Sequence, residues 1–257
     1  MTHSDTDADT VTATDSTAPD EAIETDGDRP EAVVLVSGGM DSATTAYEAR
    51  ERGYDLRFLH TSYGQPTEHK EFECARALAT EMDAVDFHHV ETDHLAAIGA
   101  SALTDDDLAV ADAADSADGV PETYVPFRNA NLLSMAVSYA EANGAEAVFV
   151  GAHSEDYAGY PDCRPAFFDA FDAMVEVGTK PETDIGVRAP FVEDSKTDIA
   201  RRGLALGVPY DTTWSCYRAE EPACGTCDAC AYRLDAFQRL GERDPIPYAE
   251  RPTYVDD

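Results

Sequence analysis

Apolar and polar residues fall into alternating blocks from Glu31 onward. Val33, Val34, Leu35 and Val36 form a short, uniformly apolar run, as expected of a strand buried on both faces of a parallel sheet. The pattern predicts strands at Ala32–Val36, Asp55–Ser62, about Val85–Glu91, Ala147–Gly151 and Val187–Ala189. Between them it predicts helices at about Asp41–Arg52, Glu68–Met82, Asn129–Asn143, Pro165–Val177 and Ser195–Leu206. Gly144 and Gly207 stand where helix C-caps belong. The rhythm breaks over residues 96–123, where the acidic, Ala-rich stretch 104–119 (TDDDLAVADAADSADG) reads as an insertion or a loop.

Repeating strand–helix units with short links imply an α/β fold: a doubly wound, mostly parallel sheet. Ligands in such sheets bind beyond the carboxyl ends of the strands. The loops after Val36, Ser62 and Gly151 are therefore expected to share one cleft. Residues 1–30 hold Asp, Thr, Ser and Ala with almost no large apolar side chain, and are expected to be a disordered acidic tail. The expected division is residues 31–210 for the α/β domain and 211–257 for a cysteine-bearing C-terminal element.

The chain has 257 residues, with 52 acidic against 18 basic, a formal net charge of -34. The excess runs along the whole chain, and the only lysines are Lys70, Lys180 and Lys196. A cationic partner is one reading of that charge. The other, preferred here, is a solvated surface suited to high salt, where screening removes self-repulsion. No apolar run approaches the length of a membrane span, and the acidic N-terminus lacks the apolar core of a signal peptide. A cytoplasmic location is the expectation, in which six cysteines are reduced and available for metal or chemistry.

The first predicted strand breaks into Ser37-Gly38-Gly39, and a helix follows. Glycines let backbone N–H groups approach a phosphate with no Cβ in the way, and the helix's first N–H groups have no intrahelical acceptor. Ser37 and Ser42 add hydroxyl donors, while Asp41 is placed to cap the helix or to reach a metal ion on the phosphates. A Gly-Gly pair alone would mark only a tight turn. The spacing is not that of a Walker loop, and no Lys follows.

Cys216, Cys224, Cys227 and Cys230 form C-x7-C-x2-C-x2-C. Four thiolates at this spacing suit a closed, structural zinc site that would fold a tail with little core of its own. Two disulfides are disfavoured by the inferred compartment, and an iron–sulfur cluster is not excluded by spacing. Cys74, among Phe72, Ala75 and Leu78, reads as a buried core thiol.

Three further segments are dense in polar residues. Val125-Pro126-Phe127-Arg128-Asn129 enters a helix, where Arg128 is either a surface residue or a bidentate partner of phosphate or carboxylate. Gly159-Tyr160-Pro161-Asp162-Cys163-Arg164 packs a ring, a carboxylate and a guanidinium into one turn, as a planar polar ligand requires. Lys196 sits just inside a helix start and is a candidate for phosphate contact.

SGGMDS (37–42) resembles the signature of the PP-loop ATP pyrophosphatases. Together with SYGQ (62–65), VPFRN (125–129), GYPDCR (159–164), TWSCY (213–217) and CGTCDAC (224–230), it is similar to the 7-cyano-7-deazaguanine synthases, in order from about Val33 to Arg239. The resemblance implies a Rossmann-like PP-loop fold of the HUP type and a salt-adapted archaeal member of that family. It implies a reaction too: ATP adenylates the carboxylate of 7-carboxy-7-deazaguanine, ammonia displaces AMP, and a second activation dehydrates the amide to a nitrile for the tRNA bases archaeosine or queuosine. It implies ATP contacts from Val36, Ser37, Gly38, Gly39, Met40, Asp41, Ser42, Ala43, Thr44, Thr45 and Ala46. The expected catalytic set is Ser37, Asp41, Ser42 and Lys196, with Mg²⁺. Arg128, Asn129, Tyr160, Asp162 and Arg164 are the expected substrate residues, Asp162 reading the guanine-like edge and Arg128 or Arg164 the substrate carboxylate or the phosphates. Zn²⁺ falls to the four cysteines. No glutaminase segment is evident, so free ammonia or a separate donor is implied. Pro66 departs from the family pattern after SYGQ, where a basic residue is expected.

A PP-loop thiolase or amidoligase acting on RNA would want a basic surface, which this chain lacks. A non-enzymatic module with a zinc-stapled docking tail is opposed by the intact SGGMDS. Partners are thus expected to be small molecules, with no direct nucleic-acid contact, no membrane, and a homodimer as the assembly. The charge reading makes a prediction: the melting temperature rises steeply with KCl, and a flat response would defeat it.

Overall fold

Buried apolar residues on successive strands build the centre of the molecule. The computed structural model describes residues 29–105, 107–115 and 119–251. The expected acidic tail lies outside the described residues up to position 28, and so does part of the 104–119 stretch. Five strands, β1 (Glu31–Leu35), β2 (Asp55–Ser62), β3 (Asp86–Glu91), β4 (Ala147–Phe149) and β5 (Gly186–Arg188), form one sheet in the order β3-β2-β1-β4-β5. Every pairing is parallel.

The helices are α1 (Met40–Glu51), α2 (Glu68–Glu81), α3 (Asp93–Ile98), α4 (Arg128–Asn143), α5 (Asp156–Gly159), α6 (Pro165–Gly178), α7 (Lys196–Leu206) and α8 (Asp228–Arg239). Alternate residues of the central strands face opposite cores. Ala32, Val34, Phe58 and Phe149 pack with residues of α1, α2, α7 and α8. Val33, Leu35, Leu59 and Val148 pack with α4 and α6. This is the doubly wound arrangement the strand–helix rhythm implied. The expected elements match to within a residue or two, except that β4 stops at Phe149, two residues early.

The caps follow local chemistry. Gly144 and Gly207 adopt the left-handed conformation at φ 74° and 75°. Ser195 caps α7 in a reciprocal box: its Oγ accepts from the Asp198 N–H, and Asp198 accepts from the Ser195 N–H.

Sheet order places the functional cleft. The chain winds outward from β1 to β3, then returns across to β4 beside β1. The carboxyl ends of β1 and β4 flank that reversal, where an open parallel sheet leaves a crevice.

Three helices were not among the expected elements: α3, α5 and α8. The last matters most. Its inward positions include Arg233, a residue that breaks an apolar pattern, yet Arg233 is completely buried. The Asp244 carboxylate meets it bidentately, from Nε at 2.8 Å and from Nη2 at 3.0 Å. Thr213 Oγ1 and the Tyr210 carbonyl accept its remaining N–H groups, each at 2.8 Å. Ala236 and Phe237 of the same helix sit in the main core beside α1 and α7. Removing one partner of such a pair leaves a buried charge unmatched. Arg233→Ala is therefore expected to lower unfolding stability by about 3–5 kcal/mol, read from urea denaturation at fixed KCl.

Candidate active site

At the end of β1 the backbone turns at Gly38, with φ 81°. A Cβ there would run into the carbonyl oxygen of Glu71, so position 38 excludes any side chain. The Trp214 N–H holds the Gly38 carbonyl at 2.8 Å. Gly39 is the N-cap of α1 and no side chain caps the helix. The Gly39 N–H contacts Ser37 Oγ at 3.2 Å, and Ser42 Oγ donates to the Gly39 carbonyl at 3.0 Å. The turn thus offers free helix N–H groups and two hydroxyls to an anion. Gly151, just past β4, permits a close approach on the other side: a Cβ there would come within 3.0 Å of the Asp41 carbonyl oxygen.

A cavity of about 220 Å³, open to solvent, spreads from this turn. Val36, Ser37, Gly39, Asp41 and Ser42 line it, with Leu35, Leu59, Leu132 and Val150 as an apolar wall. Gly38, Met40, Ala43, Thr44, Thr45 and Ala46 do not line it. Met40, Ala43 and Ala46 face the core under the sheet, as the helical period requires once Asp41 and Ser42 face the cleft. Thr44 is turned to Tyr210, and Thr45 Oγ1 to the Asp41 carbonyl.

Charged groups crowd one end. Lys196, almost wholly buried at the start of α7, pairs with Asp41 and reaches His153 Nε2 at 3.4 Å. His153 Nε2 also stands 3.3 Å from Asp156 Oδ1. Burial opposes ionisation of Asp41, but the neighbouring Lys196 ammonium outweighs it and holds the carboxyl below its usual range. Burial, with help from Lys196, depresses His153 to about 4, so the imidazole is neutral. Burial raises Asp156 to about 7, against the pull of Lys196. Among the described residues, Oδ1 of Asp41 and Nδ1 of His153 are buried with no hydrogen-bond partner.

The other end is aromatic. Arg128 Nη1 donates to Tyr63 OH at 2.8 Å, and the guanidinium lies 5.6 Å from the centre of that ring. Tyr217, Gln65, Thr67 and Glu71 complete this wall. Of the expected substrate residues, Arg128 and Asn129 line the cleft. Tyr160, Asp162 and Arg164 are not among its lining. Tyr160 OH meets Thr123 Oγ1 at 2.8 Å, and exposed Arg164 caps α6. Asp162 is 3 % exposed; its carboxylate accepts the Asn129 N–H at 2.8 Å, and its carbonyl accepts from Asn129 Nδ2 at 3.2 Å. The GYPDCR turn thereby props the start of α4, from which Arg128 projects.

Residues 31–241 match the family model for queuosine biosynthesis protein QueC. The chain is 72% identical over 230 residues to a 7-cyano-7-deazaguanine synthase of Haloarcula marismortui, covering 89% of this chain and 99% of that one. It is 70% identical over 224 residues to the Halobacterium salinarum protein of the same name, covering 87% and 98%. The Methanoculleus marisnigri 7-cyano-7-deazaguanine synthase is 57% identical over 217 residues, covering 84% and 98%. The chain belongs to the QueC family.

The QueC match ends past α8 and so includes all four cysteines of the C-terminal cluster. Their sulfurs lie within 4.8 Å of one another, and Cys224 Sγ is 3.9 Å from Cys230 Sγ. A tetrahedral zinc–sulfur shell needs about 3.8 Å between sulfurs, so the set fits that ion. Backbone N–H groups of Arg218 and Cys224 point at Cys216 Sγ, and those of Thr226 and Cys227 at Cys224 Sγ, at 3.3–3.5 Å. Such donors favour thiolates, as does the α8 N-terminus, which Cys227 caps. Cys74 is a buried thiol, as expected, pushed up to about 11 by burial. No helix among the described residues is long and apolar enough to cross a membrane.

Sequence reasoning passed over His153, Tyr63, Glu71 and Tyr217, although Tyr63 and Tyr217 lie inside quoted motifs. No local signal marks His153 or Glu71, because both are selected by what packs around them.

Asp156 generates a pH prediction. Its carboxyl is raised in the folded state, so the unfolded chain releases its proton first as pH rises. Folding therefore weakens between about pH 4 and pH 7 through this group and then levels off. The stabilisation conferred by Asp156→Asn should grow over that interval in nucleotide-free protein and stay constant above it. Thermal melts at fixed KCl read this, and a pH-independent gain would remove the assignment.

Proposed function

We propose that this chain converts 7-carboxy-7-deazaguanine, ammonia and ATP into 7-cyano-7-deazaguanine. The observation that carries the reading is near end-to-end similarity, 72% and 70% identical, to proteins bearing that name, over the residues that build the cleft. The geometry supports it independently of the names.

A carboxylate oxygen is a poor leaving group; adenylation converts it into one that departs with AMP. The uncapped N-terminus of α1, with Ser37 and Ser42, is placed to receive the outer phosphates and to stabilise charge growing on departing pyrophosphate. Lys196 supplies a buried cation at the same end. The orphaned Asp41 oxygen fits a magnesium ion carried by the triphosphate. When bound, that ion draws off charge as the pyrophosphate leaves. The apolar wall from Leu35 to Val150 suits the adenine ring. Arg128 faces the cleft from the tyrosine side, placed for the substrate carboxylate and then for the oxygen that carries the adenylate. Unprotonated ammonia needs no enzymic base to attack. In the second round the amide oxygen is activated in the same place, and its loss with AMP leaves the nitrile.

The cysteine cluster fits zinc as a closed site with four protein ligands, which points to folding rather than chemistry. A net charge of -34 opposes binding to a phosphate backbone, in keeping with a free base rather than RNA as substrate.

Incubation with ATP, ammonium and the carboxy-deazaguanine, followed by mass analysis, should give AMP and the nitrile. Pyrophosphate release that depends on tRNA instead would overturn the reading. Lys196→Ala should lower the rate of AMP formation by about 10²–10³.

A further inference from the structure

Two ionisable groups of opposite sign face the same cleft, near enough to feel one another's charge but not in salt-bridge contact. Among the described residues, neither Arg128 nor Glu71 forms an ion pair, although both line the cavity. Buried charges in proteins are ordinarily matched, and an unmatched one in a cleft marks a place for ligand.

Glu71 is held firmly. Thr67 Oγ1 donates to its Oε1 at 2.8 Å, and Gln65 Nε2 to its Oε2 at 3.0 Å. Gln65 is itself fixed, because its Oε1 accepts the Tyr63 N–H at 2.9 Å. Each carboxylate oxygen has two acceptor sites and has used one, so a second pair of donors can be accepted. Burial raises this carboxyl, which N–H donors from a ligand would reverse. The other cleft carboxylates are engaged: Asp41 by Lys196, and Asp156 by the Lys196–His153 end. Asp162 lies off the cleft against the Asn129 amide.

A guanine-like base carries a ring N–H beside an exocyclic amine. Those two donors run parallel and match the spacing of two carboxylate oxygens. In a 7-carboxy derivative the opposite end of the ring system is anionic. The same wall of the cleft offers both a carboxylate and a guanidinium, the two complements such a base needs.

We infer that Glu71, locked by Gln65 and Thr67, reads the ring N–H and amine of the substrate base while Arg128 takes its carboxylate, so that Glu71 selects for a 2-amino heterocycle. This rests on the function proposed above and names the group that sets its substrate class.

The test compares the carboxy-deazaguanine with its analogue lacking the exocyclic amine, using full-length protein, ATP and ammonium. Wild-type protein should prefer the amine-bearing acid by about 10²-fold or more in kcat/KM, because the analogue leaves an acceptor unpaired. In Glu71→Gln that preference should fall below about tenfold, with KM for ATP changed by less than about threefold. Asp156→Asn should keep the preference. Gln65→Met, which leaves Glu71 charged but unlocks it, should raise KM for the base about tenfold with kcat largely kept. Melting temperature and bound zinc check that each variant is folded. If Glu71→Gln is not, the Gln65→Met KM decides. An undiminished preference in folded Glu71→Gln, its loss in Asp156→Asn, or an unchanged KM for the base in Gln65→Met overturns the inference. Absence of any turnover of the carboxy-deazaguanine by wild-type protein would instead strike the function reading itself.

Discussion

The hydrogen bond from the Trp214 N–H to the Gly38 carbonyl joins two parts of the molecule that each depend on the other. Gly38 must take a left-handed turn with no side chain, because the Glu71 carbonyl fills the space beneath it. That turn stays open to an anion only if something outside the loop holds its carbonyl away. Trp214 does so from the segment leading into the cysteine cluster. The same segment is tied to α8 through Thr213 and the buried Arg233–Asp244 pair. The phosphate turn, the ion pair and the four sulfurs thus form one chain of contacts, although the first and last lie nearly two hundred residues apart.

The cleft is divided by charge. One end gathers Asp41, Lys196, His153 and Asp156, where burial above all pushes His153 and Asp156 far from their ordinary proton affinities. The other end sets Arg128 among tyrosines and Glu71 among neutral donors. Under the proposed function, a triphosphate with its cation would take the first end, beside the Asp41–Lys196 pair. A neutral ring bearing one carboxylate would take the second, where Arg128 and Glu71 line the wall without a salt bridge. The proposed adenylation would then bring the two ligands together between these ends, near the mouth of β1.

The strands and most helices were legible because their signals are local. Val33–Val36 is apolar without interruption, and Ser195 announces α7 through its own capping box. SGGMDS reads as an anion turn for the same reason: the glycine, the helix start and the hydroxyls are neighbours in sequence. α8 was hidden because Arg233 occupies a core position, and only the distant Asp244 makes that tolerable. Asp162 was expected to read a substrate edge from the company it keeps in GYPDCR. The fold shows its carboxylate holding the Asn129 amide, a contact that depends on where α4 begins. Met40 to Ala46, expected at the nucleotide as a continuous run, divide between cleft and core because a helix turns its residues away every few positions. Glu71 carried no local sign at all, since its meaning comes from side chains of other segments, Arg128 across the cleft wall among them, that the fold brings near it.

The acidic stretch is not merely tethered at its ends. Arg218, two residues after a cluster cysteine, reaches Asp112 at 2.6 Å, and the Ala113 N–H donates to the Thr226 carbonyl at 2.9 Å. Leu103, a few residues upstream, forms part of the cavity lining. The loop that bears the cluster cysteines is therefore also joined to a segment close to the cleft wall. An ion held by those sulfurs would therefore brace that wall together with the tail, and its removal would loosen both while the sheet kept its own core.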